Sequence, residues 1–100
     1  MNKAAILTQT AATGVNNNSG IVYITDVFSE YGNIQKYFKQ NTIPKDQIVE
    51  RVLTDTKILS VEIKVEATND YKIPAVAING LPVELEIVDQ ETRKFKGILN

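Results

Sequence analysis

The chain has 100 residues, 43% of them hydrophobic, and a formal net charge of −1. That length makes one domain with one modest core, and that charge gives no field to gather nucleic acid or an anionic membrane. Histidine and cysteine are both absent, which excludes zinc sites, disulfides and His- or Cys-based nucleophilic triads.

Residues 1–20 read as a polar N-terminal arm, and residues 21–100 as a single α+β domain. The start, Met1-Asn2-Lys3-Ala4-Ala5-Ile6-Leu7, has one lysine and a short apolar stretch. A signal peptide needs an apolar core of about 7–15 residues, so cytoplasmic synthesis without export is expected. No apolar run approaches the roughly 18 residues of a spanning helix, so no membrane partner is expected. Small and polar residues dominate from Thr8 to Gly20. Ile6, Leu7 and Val15 are the arm's only large aliphatics after Met1. Their burial cannot offset the ordering of so long a segment. The arm is expected to extend from its own domain and to be ordered by another molecule, for instance by strand addition.

Ile21-Val22-Tyr23-Ile24-Thr25 is a β-branched and aromatic run, which predicts a buried strand. Asp26 can then cap a helix. Val27, Phe28, Tyr31, Ile34 and Phe38 follow the spacing of one helical face and predict a helix over 27–39. Residues 44–55 read as a short helix opened by Pro44, with Ile48, Val49, Val52 and Leu53 on one side; strand is the alternative. Residues 57–67 alternate apolar and polar and predict a half-buried antiparallel strand, with a bulge at Ile58-Leu59. Thr68-Asn69-Asp70 is a turn.

Asn79-Gly80 is the clearest local signal. Both residues tolerate the positive φ that a type I′ turn demands, so a two-residue hairpin is expected. It pairs Ile78 with Leu81, Ala77 with Pro82 and Val76 with Val83. Asp89 opens a second turn by accepting from amides two and three residues on. Phe95 to Leu99 returns as the last strand, pairing Val88 with Phe95 and Glu84 with Leu99. The expected fold is α+β: an antiparallel sheet of about five strands, with one or two short helices inserted between residues 26 and 55.

Glu62, Glu66, Glu84 and Glu86 could flank a divalent cation, but interleaved lysines and the lack of an Asp-rich loop favour a solvated sheet face, so no metal or cofactor is assigned. Gly14 to Gly20 resembles a glycine loop only in composition. No Gly-Lys-Ser/Thr follows it, and a flexible entry loop is the expectation. Asn17-Asn18-Ser19 matches the glycosylation pattern, which without a secretion signal carries nothing. Arg93, Lys94 and Lys96 bracket Phe95, a pattern that can stack on single strands; the pI of about 5.4 speaks against nucleic acid. Catalytic residues are not assigned.

The hairpin leaves an apolar second face: Ile73, Ala75, Ala77, Pro82 and Val88, extended by Phe95 and Leu99. Either the predicted helices or a partner covers that face; with Ile6, Leu7 and Val15 of the arm, these residues form the expected partner interface. The sequence therefore reads as a non-enzymatic structural or interaction protein, a subunit of a larger assembly. Other protein subunits, a homo-oligomer or a capsid lattice are the expected partners. Small size and nine lysines against two arginines suggest a phage virion protein, capsid-decorating or head-associated. The alternatives are a small ligand-binding or regulatory domain, with a pocket against the Phe28/Tyr31/Phe38 helix face, and a nucleic-acid-binding accessory protein.

Overall fold

A computed structural model describes residues 11–37, 41–53, 57–67 and 71–99. They form β-strands and one 3₁₀ turn, Gln35–Tyr37, with no α-helix among the described residues. The α+β expectation is therefore corrected: the chain folds as two antiparallel sheets. In chain order the strands are β1 (Ala11–Asn17), β2 (Ile21–Ser29), β3 (Gly32–Asn33), β4 (Thr42–Ile43), β5 (Gln47–Leu53), β6 (Ile58–Glu66), β7 (Ala75–Ile78), β8 (Leu81–Val83), β9 (Leu85–Asp89) and β10 (Lys94–Ile98). The first sheet has the order β5-β1-β7-β8. The second has the order β3-β2-β6-β10-β9, with β4 also paired to β2.

Alternation along the strands builds the core. Val15 of β1, Val49 of β5 and Val76 and Ile78 of β7 are buried from the first sheet. Val22, Ile24 and Val27 of β2, Val61, Ile63 and Val65 of β6 and Phe95 of β10 are buried from the second. All belong to one apolar cluster. Most are β-branched, which suits a pleated surface with stiff side chains.

The helix expected over 27–39 is a hairpin instead. β2 runs on through Asp26, Val27 and Phe28 to Ser29, and β3 folds back on it with Phe28 opposite Asn33. Val27 and Ile34 are both buried, and the Ile34 amide donates to the Val27 carbonyl at 2.8 Å. A spacing of seven suits two helical turns, and it equally suits two residues facing each other across a tight hairpin. Tyr31, at the tip, is 64% exposed. Asp26 does not cap a helix; its Oδ1 accepts from the Asn33 side chain at 2.7 Å. Phe38 lies outside the described residues.

The short helix at 44–55 is corrected too. Residues 47–53 form β5, paired along its whole length with β1. Ile48 is 66% exposed while its neighbour Val49 is buried, the opposite-face signature of a strand.

Of the segment 1–20, residues 11–17 form β1, flanked by β5 and β7 within the first sheet. Residues 1–10 lie outside the described residues, and so does the turn expected at 68–70.

The other local expectations stand close to the structure. Asn79 and Gly80 have φ of 55° and 76°, and β7 pairs β8 in the expected register. The β2–β6 register shifts where Phe28 faces Ser60 and Ser29 faces Ile58, leaving Leu59 as the extra residue of a bulge. A second shift, between Ile24 and Asp26, leaves Thr25 unpaired on β2. Asp89 Oδ1 accepts from the Glu91 amide at 3.0 Å and the Thr92 amide at 3.4 Å.

The last hairpin differs by one residue. Lys94 faces Asp89 but Phe95 faces Ile87, so Val88 bulges and does not pair with Phe95. Residues 81–89 are also not one strand. β8 closes the first sheet, the chain crosses at Glu84, and β9 belongs to the second. The crossing lies against Gly97: a Cβ there would stand 2.8 Å from Val83 Cγ2 and 3.1 Å from Leu85 Cδ2.

Candidate interaction surface

The crossing from β8 to β9 shapes the most interesting part of the surface. Leu81, Pro82 and Val83 of β8, with Ile98 and Leu99 at the end of β10, line a groove of about 550 Å³. Glu84 and Glu86 form its acidic rim. Leu81 is 59% exposed, and Ile98 is exposed beside it. β9 borders the groove and pairs only with β10 among the described strands. An edge strand keeps part of its main-chain N–H and C=O groups unpaired, so it can accept another strand.

The ten residues expected at a partner interface divide. Pro82 and Leu99 line the groove. Ile73, Ala75 and Val88 are exposed and Ala77 is half-buried, but none of them lines it. Val15 and Phe95 are buried in the core of their own chain. Ile6 and Leu7 lie outside the described residues. The structure adds Leu81, Ile98 and Ile87, the last 60% exposed on β9. Alternation from the Asn-Gly turn puts Leu81 and Ile87 on the same side as buried Val76 and Ile78. No local signal says that their strands run at the edges of two different sheets.

Phe95 meets the ring of Tyr71 edge-on, with centroids 6.3 Å apart at 62°. The Arg93 guanidinium sits 4.9 Å over Tyr71 and donates to the Ala67 carbonyl. The aromatic of the basic Arg93–Lys96 segment is thus packed inside and offers no face to a base. Arg93 is spent on holding Tyr71 and the end of β6.

The outer face of the second sheet is charged. Glu86 faces Lys96, Lys96 faces Glu62, and Glu62 faces Asp26. Glu66 accepts a hydrogen bond from the Tyr23 hydroxyl at 2.7 Å. That bond, more than burial or the nearby charge, raises the Tyr23 pKa above its ordinary value. Tyr23 and Glu66, with Lys64, Gln35 and Asn41, line a shallow polar depression of about 480 Å³. A hydroxyl that holds its proton more firmly is a poor base or nucleophile near neutrality. Among the described residues no group of three or more carboxylates could hold a metal ion. The helix wall expected for a ligand pocket is missing, since Phe28 lies in β2 and Tyr31 at a hairpin tip.

Asn17, in the glycosylation pattern, is fully buried. Its Nδ2 donates to the carbonyls of Gly20 at 2.9 Å and Ile43 at 2.7 Å, and its Oδ1 accepts from the Ser19 amide at 2.9 Å. Ser19 Oγ in turn bonds the main chain of Lys72 as both donor and acceptor. These residues organise the junction between β1 and β2 and are closed to modification.

Comparison with protein-family models, curated proteins and solved structures returns no match. No helix among the described residues is long and apolar enough to cross a membrane.

Proposed function

We propose that the chain is a non-enzymatic interaction protein, a small subunit that joins a larger assembly through the β8–β9 edge. The observation that carries this reading is the exposure of Leu81, Ile87 and Ile98 at or beside one groove and one unpaired strand edge. Clustered exposed aliphatics mark contact sites more often than they mark bare surface. Support from an N-terminal arm is reduced, because residues 11–17 serve as an inner strand of the first sheet. As the setting of that assembly we propose a phage particle, on which the chain decorates or accompanies the head. Small size and the excess of lysine over arginine support that setting.

The test is mass. The purified chain is 11.1 kDa. Light scattering on it, alone and in fractions of the cells or particles it comes from, should find it in a larger species. Leu81→Lys combined with Ile87→Lys should release it without changing its circular dichroism. A monomer in every fraction, or a complex indifferent to both substitutions, overturns the reading.

A further inference from the structure

We propose that the β9 edge is a docking site for an extended protein segment in which lysine or arginine alternates with aliphatic residues. The inference rests on the interaction reading above and names the partner's chemistry.

Five edge strands are open to comparison among the described strands. β3 and β4 have two residues each, too few to template a partner. β8 carries Pro82 at its centre, which removes a donor. β5 is long, but the groove lies at the other edge of its sheet. β9 has five residues, Leu85-Glu86-Ile87-Val88-Asp89, without proline or lysine. It therefore lacks two devices that keep edge strands from pairing with other chains.

Charge selects the occupant. Glu84 and Glu86 are exposed, and neither carboxylate is hydrogen-bonded or ion-paired to any described residue. On its inner side β9 is already paired with a strand whose lysines alternate with uncharged residues. β10 reads Lys94-Phe95-Lys96-Gly97-Ile98 and sets Lys96 opposite Glu86 and Lys94 opposite Asp89. A segment added on the outer side with the same alternation would place cations beside Glu84 and Glu86 on one face. Main-chain hydrogen bonds would supply affinity and the alternating side chains specificity. Its aliphatic side chains would fall on the opposite face, beside Ile87, which is 60% exposed. An acidic segment would meet the same two carboxylates as like charges directly across, which destabilises a strand pair. A second copy of β9 brings two acids of its own and suffers the same repulsion.

The experiment uses the full chain and two capped, dye-labelled peptides of ordinary strand length. One alternates lysine with valine, and the other alternates glutamate with valine. Fluorescence anisotropy should show at least a roughly tenfold preference for the lysine peptide. Glu84→Lys combined with Glu86→Lys, two exposed positions, should invert that preference while leaving the melting curve in place. Hydrogen exchange should slow at residues 85–89 when the lysine peptide binds. Equal binding of the two peptides, an uninverted preference, or protection confined to other strands overturns the proposal. So does a β9-mediated homodimer at the concentrations used. If neither peptide binds but Leu81→Lys with Ile87→Lys still breaks the larger species, the basic-segment inference fails and the interaction reading stands. If those lysine substitutions leave the species intact, the interaction reading itself fails.

Discussion

The side-chain amide of Asn17 donates to the main-chain carbonyl of Ile43 across 2.7 Å. Asn17 ends β1 in one sheet and Ile43 lies in β4 of the other, so a single buried bond ties the two sheets together. The Asp46 amide adds a bond to the Asn17 carbonyl at 2.7 Å.

Replacing Asn17 should be costly in a way that depends on charge. Asn17→Ala orphans the carbonyls of Gly20 and Ile43 and the Ser19 amide, and should lower stability by about 3 kcal/mol in urea denaturation. Asn17→Asp turns a donor into a carboxylate facing two carbonyl oxygens. Its folded pKa is then raised, so its stability is retained at low pH and lost as pH rises through that value. The variant should be more stable at about pH 4 than at about pH 7. An Asp variant that is insensitive to pH over that range shows that the site is open to water.

Gly20 should tolerate nothing larger. A Cβ there would lie 2.0 Å from the Glu66 carbonyl oxygen, and backbone cannot swing aside as a side chain can. Gly20→Ala should lose at least about 2 kcal/mol, the range of overpacking. At Gly14 the nearest atom to an added Cβ is Glu50 Cγ at 3.4 Å. Gly14→Ala should therefore be neutral, or stabilising by up to about 1 kcal/mol through the unfolded chain. Equal midpoints for the two variants contradict the close approach of residue 20 to β6.

The hairpin turn gives a third comparison. Gly80 sits at φ 76° with open space around it, so the cost of a side chain there is conformational, not steric crowding by neighbours. Gly80→Val should cost about 1–2 kcal/mol. Because β8 is an edge strand, amide exchange at Leu81 and Val83 should accelerate before that of β1. A variant with an unchanged denaturation midpoint would show that the turn is not held in its left-handed form.

Tyr23 should ionise late. Its hydroxyl donates to Glu66 Oε2, and that bond raises its pKa above the usual value of about 10. The folded chain thus holds this proton more firmly than the unfolded chain does. The contribution to stability is complete below the unfolded value and disappears as pH rises through the folded one. An ultraviolet titration, differenced against Tyr23→Phe, should place this tyrosine above the unfolded chain's tyrosines. Glu66→Gln should bring it back down. A difference curve that ignores Glu66→Gln contradicts the hydrogen bond's role.

Sequence alone determined the features that depend on neighbours along the chain. Asn79-Gly80 admits a left-handed turn whatever surrounds it, and its two-residue loop leaves one register for β7 and β8. The Asp89 turn and the alternation and bulge of residues 58–66 are local in the same sense. Tertiary structure decided what depends on partners distant in sequence. Val27 and Ile34 fit a helical face or a hairpin equally well, and pairing of β2 with β6 chose the hairpin. Ile48 and Val49 fit one side of a helix until β1 supplied hydrogen bonds along β5. The groove was hidden for the same reason. Leu81 and Ile87 keep the strand period of buried residues, and only the crossing at Glu84, which places β8 and β9 at the edges of different sheets, leaves them exposed to solvent.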